Sequence, residues 1–156
     1  MIDLHYKVDK KDSSTTVYLR GDLVNDVKAS FESLEALFET RDLIFDCEGL
    51  GKINSIGVRH WLMFLDRISK AHDFRFRNCR EGFMDTAVII PGFTRNRPIE
   101  SFYTSIGCSG CSNEKSILVK VKKKKAIRPE AVTCQKCGNL METADNFDDH
   151  FVNLAS

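Results

Sequence analysis

Four of the six cysteines fall into two C-x-x-C pairs, Cys108 with Cys111 and Cys134 with Cys137, with 22 residues between the pairs. A gap of two residues lets both sulfurs of a pair turn toward one ion, and two such pairs supply the four thiolates that zinc prefers in structural sites. We therefore predict a structural Zn²⁺ site, which takes the place of a hydrophobic core in a segment too small to build one. A redox dithiol, an iron site and an empty site are the alternatives.

The remainder of the chain has the composition of a globular protein. Of its 156 residues, 42% are hydrophobic and 29% are charged, which suffices for one domain with a core and a small appendage. The composition turns polar and basic near Gly107, so we expect one domain over residues 1–106 and a zinc ribbon with an acidic C-terminal helix over residues 107–156. The net charge of +1 gives no global field that would attract nucleic acid or an acidic membrane.

The sequence gives no indication of a signal peptide or of a membrane-spanning segment. The opening "MIDLHYKVDKKD" lacks the apolar region of a signal peptide, and the longest apolar run, "WLMFL", is far too short to span a bilayer. Cysteines arranged for metal binding are typical of a reducing compartment. We expect the protein to be cytoplasmic.

Hydrophobic periodicity predicts alternating strands and helices. A helix is expected after Asn25 as its N-cap, and another from Ser55 to about Ala71, while "IESFYTSI" alternates like an edge strand. Such an order predicts the α/β class, a mixed sheet with helices packed on it. The expected strands are 4–8, 15–20, 42–47, 74–79 and 99–106. A short third helix is expected over residues 82–90.

The helix from Ser55 has an unusual solvent face. At about 100° per residue, Gly57, Val58, Trp61, Leu65 and Ile68 form the core face. Two apolar residues, Ile56 and Met63, instead fall in line among the charged ones, which suggests a contact surface for a protein partner. The alternative is that Met63 packs under a loop. The predicted partner-binding residues of this helix and its start are Asn54, Ser55, Ile56, Arg59, His60 and Met63.

The "GDL" at residues 21–23 and "LIFDCEGLGKINSIGVRHWL" at residues 43–62 resemble the STAS domain of bacterial anti-sigma-factor antagonists and sulfate-transporter tails. The resemblance covers about residues 4–106. It implies a signalling protein whose partner is an anti-sigma protein that also acts as a kinase. The antagonists carry Asp-Ser-Ser-Gly before the second helix, with phosphate on the second serine. Here Asn54, Ser55, Ile56 and Gly57 occupy those positions, so the resemblance places an isoleucine at the phosphorylation position.

Ser55 stands where a helix begins, and Asn54 or Ser55 is expected to cap it, with Ser55 favoured. A phosphorylation site and a nucleophile are the alternative roles of this hydroxyl. No paired carboxylates or histidine clusters suggest acid–base chemistry, and Gly49-x-Gly51 lacks the rest of a nucleotide-binding motif. We predict a non-enzymatic protein-interaction module.

A second hypothesis is a nucleic-acid-associated zinc ribbon. Residues 112–133 carry seven Lys or Arg and two Glu, a local charge of +5, although no aromatic side chain interleaves with the cations to stack on bases. From Asn139 onward there are four acidic residues and no Lys or Arg, and apolar residues at helical spacing predict a short amphipathic helix that docks on the protein. The candidate nucleic-acid contacts are Lys120, Lys122, Lys123, Lys124, Lys125 and Arg128.

Overall fold

Within the part of the chain that the structure describes, four strands and three helices form the first part of the molecule, and five strands form a second sheet. The computed structural model describes residues 3–123, 125–127 and 132–143. In chain order the elements are β1 (His5–Lys11), β2 (Ser14–Leu23), α1 (Lys28–Glu35), β3 (Asp42–Ile53), α2 (Ser55–Ile68), β4 (Asp73–Arg77), α3 (Glu81–Ile89), β5 (Ser101–Cys108), β6 (Glu114–Lys122), β7 (Lys125–Ala126), β8 (Val132–Thr133) and β9 (Leu140–Thr143).

The first sheet has the strand order β1-β2-β3-β4. β1 and β2 form an antiparallel hairpin, whereas β2–β3 and β3–β4 pair in parallel and are connected through α1 and α2. This mixed sheet with helices packed on it confirms the predicted α/β class. Its order of elements is also the one predicted from the sequence.

An aromatic core joins the helices to the sheet. Phe45 of β3 lies 6.1 Å from Trp61 and 5.9 Å from Phe64 of α2, measured between ring centroids. Phe31 of α1 stacks on Phe64 at 4.5 Å, and Phe83 of α3 lies 5.4 Å from Phe76 of β4. The apolar stripes of the helices therefore meet one face of the sheet, as the hydrophobic periodicity of α2 requires.

β5 belongs to two layers. Phe76 and Cys79 bridge in parallel to Ile99 and Phe102, so the start of β5 extends the first sheet beside β4. The same strand then pairs with β6 on one side and β9 on the other, in a second sheet of order β7-β6-β5-β9-β8. The expectation of an edge strand was therefore wrong, because the partner β9 lies about 35 residues later in the chain and local alternation carries no information about it. The domain division at residue 107 falls within β5 and stays a prediction.

The start of α1 differs from the expectation. Asn25 is not the N-cap: it has a left-handed backbone, with φ of 57°, and the helix begins three residues later at Lys28 with Val27 as its N-cap. Asn tolerates this conformation better than other non-glycine residues, which suits it to a turn. No helix in the described ranges is long and apolar enough to cross a membrane.

Gly57 permits α2 to approach the end of β2. A Cβ at this position would lie 1.8 Å from the carbonyl oxygen of Leu23. A backbone atom cannot move aside as a flexible side chain can, so only glycine allows this contact. The N-terminal turn of α2 is thereby fixed against the sheet.

We expect Gly57→Ala to lower the free energy of unfolding by about 2 kcal/mol or more, because the added methyl forces the helix away from β2. The control is Gly82→Ala in α3, where the new Cβ would meet its nearest neighbour at an ordinary 3.6 Å. There the higher helix propensity of alanine should raise stability by up to about 1 kcal/mol. Urea unfolding measures both, and equal effects of the two substitutions would contradict the proposed contact.

Candidate metal centre and interaction surface

The four paired cysteines come together in the second sheet. Their sulfur atoms all lie within 4.8 Å of one another. Cys108 Sγ lies 3.2 Å from Cys137 Sγ, and Cys111 Sγ lies 3.6 Å from Cys134 Sγ, so each short contact joins one C-x-x-C pair to the other. These distances far exceed a disulfide bond of about 2.05 Å. They approach the separation of about 3.8 Å that follows from four sulfurs at about 2.3 Å around one tetrahedral ion.

Backbone hydrogen bonds shape the two turns that carry the sulfurs. Cys108 ends β5, and the amide of Gly110 donates to its Sγ at 3.4 Å. In the second turn the amide of Cys134 donates to the carbonyl of Asn139 at 2.7 Å, and the amide of Gly138 donates back to the Cys134 carbonyl at 2.8 Å. Gly138 adopts φ of +81°, a conformation that glycine reaches without strain. Each turn carries one buried cysteine, Cys108 or Cys134, and one exposed cysteine, Cys111 or Cys137.

The surroundings of the sulfur atoms give the thiols of Cys134 and Cys137 very different pKa values. The backbone amide of Cys137 is the largest of the effects that lower the pKa of the Cys134 thiol to about 6. For Cys137, the amide of Asn139 favours the thiolate, but hydrogen bonding with the Cys108 thiol, burial and the remaining sulfurs raise its pKa to about 12. One thiolate therefore raises the cost of ionising the next. A cation bound between the sulfurs would offset this repulsion and favour the thiolate form of all four cysteines.

Few apolar residues support this cluster. Ile106, Met141 and the two buried cysteines, Cys108 and Cys134, form a core of their own, against which Ile117 and Val132 pack. Many more apolar residues are buried in the core beside the first sheet. Hydrophobic burial alone gives so small a core little stability, which is the condition under which metal ligation contributes to folding.

The N-terminus of α2 is capped by Asn54. Its backbone is extended, with φ of −124° and ψ of 175°, and its side-chain oxygen accepts a hydrogen bond from the amide of Gly57 at 2.9 Å. Ser55 is instead the first residue of the helix and is exposed, so the favoured assignment of Ser55 as the cap was wrong. The Asn54 side chain therefore satisfies the third helical N–H, which is a group that an N-cap side chain usually binds.

The solvent face of α2 is as the helical wheel predicted for Ile56, Arg59 and Met63, but not for His60. Ile56 is 50% exposed and Met63 is 44% exposed, and Arg59 between them is exposed as well. Met63 is therefore not covered by a loop of the described chain. His60 turns away from these residues: its Nε2 lies 3.5 Å from a carboxylate oxygen of Asp26, and its side chain is 20% exposed. Whether this face binds a partner stays a prediction.

Asp22 is a positioning residue that sequence reasoning missed. Asp22 is 7% exposed, and its carboxylate accepts a hydrogen bond from the amide of Lys52 at 2.8 Å. A Cβ at Gly51 would lie 2.5 Å from the same carboxylate oxygen. The "GDL" segment therefore holds the end of β3 just before α2. The motif was visible in the sequence, but its contact with a residue 30 positions away was not.

A second polar cluster lies beside this segment. The Tyr103 hydroxyl donates to Glu48 at 2.6 Å, and the Arg80 guanidinium lies 4.1 Å from the centroid of the Tyr103 ring. Arg80 Nε also donates to the Glu48 carbonyl at 3.1 Å. These contacts attach β5, which the second sheet shares, to the middle of β3.

The lysine-rich arm is an exposed hairpin. β6 and β7 pair through Val121 with Ala126, and Lys120, Lys122, Lys123 and Lys125 are exposed. Lys124 and Arg128 lie outside the described residues, as does the acidic helix expected after Thr143. The nucleic-acid hypothesis stays a prediction.

Comparison with known proteins adds little. No protein-family model and no curated protein matches the sequence. Among solved structures, the chain is similar to an anti-sigma factor antagonist from Mycobacterium paratuberculosis, with 16% sequence identity and a TM-score of 0.49. The similarity covers 62% of this chain and 85% of that one. A likeness of this size does not establish a family.

We expect Asn54→Ala to lower the free energy of unfolding by about 1 kcal/mol, because the amide of Gly57 loses its side-chain acceptor. Ser55→Ala is the matched control, and its effect should stay within about 0.5 kcal/mol because this exposed side chain caps nothing. Thermal or urea unfolding of both variants measures the difference. A greater loss from Ser55→Ala would reverse the assignment of the cap.

Proposed function

We propose that this chain is a non-enzymatic protein-interaction module of bacterial signalling that resembles an anti-sigma-factor antagonist and acts in the cytoplasm. The observation that carries the proposal is the exposed pair Ile56 and Met63 on α2. Exposed apolar side chains in line on one helix form a surface suited to a protein partner. By the same resemblance, that partner is an anti-sigma protein with a kinase-like fold.

The rigidity of the surface supports this proposal. Gly57, Asn54 and Asp22 each fix the start of α2 by a contact with backbone, so Ile56 is held in place before any partner arrives. A preorganised surface loses less entropy on binding. Because isoleucine has no hydroxyl, phosphorylation cannot act at the position where the resemblance expects it. The surface is then constitutively competent to bind.

We expect Ile56→Glu to reduce capture of the partner by about tenfold or more, because a charge at the centre of an apolar contact is buried without a partner. The measurement is affinity capture from native lysate with quantitative mass spectrometry of the bound proteins. The matched control is Leu37→Glu, which alters another exposed apolar residue, 41% exposed, that follows α1. Proteins lost with Ile56→Glu and kept with Leu37→Glu are the expected partners. Equal capture by both variants would contradict the proposal.

We further propose that Cys108, Cys111, Cys134 and Cys137 bind one structural zinc ion. The approach of all four sulfurs to within 4.8 Å of one another supports this assignment. So does the donor set, since four thiolates leave no coordination position for water or substrate and favour zinc over harder ions. The ion would stabilise the second sheet where the apolar core is small.

We expect about one zinc ion per purified chain and loss of most of it in Cys137→Ser, as measured by elemental mass spectrometry. Cys47→Ala is the control, because Cys47 is buried in the first core, away from the cluster. Protons compete with zinc for thiolate, so zinc should be released as the pH falls from about 7 to about 4. A zinc-free chain in which the amides of β5 and β9 exchange as slowly as in the untreated protein would contradict a structural metal.

A further inference from the structure

The hairpin of β6 and β7 presents three lysines on one face. Alternate residues of a strand share a face, and so do residues directly opposite each other in an antiparallel pair. Lys120 and Lys122 alternate along β6, and Lys125 of β7 pairs with Lys122. All three are exposed, and among the described residues no carboxylate forms an ion pair with any of them. This face therefore carries positive charge that no described carboxylate compensates.

The neighbouring strand adds an aromatic ring to the same face. Tyr103 of β5 pairs with Leu118 of β6, two residues before Lys120. Phe102 and Val119 form the adjacent pair and are buried in the first core, so Tyr103 and Lys120 lie on the opposite face, which we name the outer face of β5 and β6. Diagonal neighbours of this kind have Cβ atoms about 7–8 Å apart. The lack of an aromatic residue among the lysines in sequence argued against base stacking, and the pairing of β5 with β6 supplies the ring.

Arg80 stacks on the Tyr103 ring and is held there. The guanidinium carbon lies 4.1 Å from the ring centroid, and Nε donates to the Glu48 carbonyl at 3.1 Å. The Arg80 side chain is nevertheless 42% exposed. A planar guanidinium fixed over a ring offers a flat surface on which a nucleic-acid base can stack.

The charge of this stack is balanced within the molecule. The Glu48 carboxylate accepts a hydrogen bond from the Tyr103 hydroxyl at 2.6 Å and lies 3.8 Å from Arg80 Nη2. Attraction for a polyanion therefore comes from the lysines beside the stack. A ligand that suits both parts has phosphates for the lysines and a flat ring for the stack.

Single-stranded nucleic acid has both of these groups. An anionic lipid surface has phosphates but no rings, and the bases of a duplex are already stacked on one another. Proteins that bind single strands combine cations along the backbone with aromatic or guanidinium planes under the bases. The outer face of β5 and β6 has this combination.

We propose that the outer face of β5 and β6 binds single-stranded nucleic acid. A base stacks on Arg80 over Tyr103, and the backbone phosphates lie beside Lys120, Lys122 and Lys125. None of these residues belongs to α2, so the inference does not rest on the proposed partner surface.

Fluorescence anisotropy of the full chain, which includes the acidic residues 144–156, tests the proposal with labelled oligomers. The probes are an oligouridylate, an oligothymidylate and an abasic oligomer with the same phosphates and no bases, each of about 12 nucleotides. The abasic oligomer should bind at least about fivefold more weakly, because it cannot stack. The tighter of the two base-bearing oligomers shows whether the strand is RNA or DNA.

Arg80→Lys keeps the positive charge and removes the planar group. It should weaken binding of the base-bearing oligomers about fivefold and leave binding of the abasic oligomer unchanged. Arg41→Lys is the matched control, because Arg41 pairs with Asp73 at 3.1 Å beside the start of β4, outside the outer face. It should change neither affinity.

The salt dependence of binding tests the lysines. Three phosphates neutralised on a single strand predict a slope of about −2 for the logarithm of the affinity against the logarithm of the salt concentration. Lys120→Gln combined with Lys122→Gln should reduce this slope to about −0.7. Lys10→Gln combined with Lys28→Gln makes the same change in net charge at lysines paired with Glu39 and Glu32, and should leave the slope unchanged.

Four results would each overturn the proposal. The first is no binding of any oligomer, and the second is equal affinity for the abasic and base-bearing oligomers, which would leave only attraction between charges. The third is equally tight binding of a DNA duplex of the same length. The fourth is tighter binding of anionic phospholipid vesicles that is insensitive to Arg80→Lys, since the outer face would then contact a membrane.

Discussion

The seating of α2 on the first sheet is the contact on which the rest of the molecule depends. Trp61 is fully buried, and its indole N–H donates to the carbonyl of Phe93 at 3.0 Å, so the ring adds apolar area without leaving a polar group unsatisfied. Gly57 fixes the start of the helix against β2. With the start and the middle of α2 held, the direction of Ile56 and Met63 is determined by the core. The rings within about 6 Å of Trp61 are Phe31, Phe45, Phe64, Phe76, Phe83 and Phe93.

The first sheet and its helices were predicted well because the hydrophobic spacing that identifies each element lies within that element. The helical spacing of α2 correctly separated buried Trp61 from exposed Ile56 and Met63. The errors came where two neighbouring residues offer similar chemistry or where pairing is distant. Asn54 and Ser55 are both good capping residues, and only the backbone geometry shows which one occupies the position. The pairing of β5 with β9 depends on residues far apart in the chain, and no periodicity of β5 alone encodes it.

The candidate sites were predictable to different degrees for the same reason. Cysteine spacing restricts geometry so strongly that it predicted the approach of four sulfurs before any fold was considered. Asp22, by contrast, acts through a hydrogen bond to the amide of Lys52, and any exposed loop aspartate would look the same in sequence. The two parts of the molecule also rely on different forces. The first has a large aromatic core, whereas the second has a few apolar side chains around a sulfur cluster.

The sharing of β5 between the two sheets has a consequence for synthesis on the ribosome. Phe102 joins the first core from the start of the strand, while Cys108 at its end needs sulfurs that lie 26 and 29 positions later. A nascent chain can therefore pack its aromatic core while β5 still lacks β9 along one side. During that interval the unsatisfied edge of β5 is open to pairing with other chains. That edge is paired once β9 has left the exit tunnel.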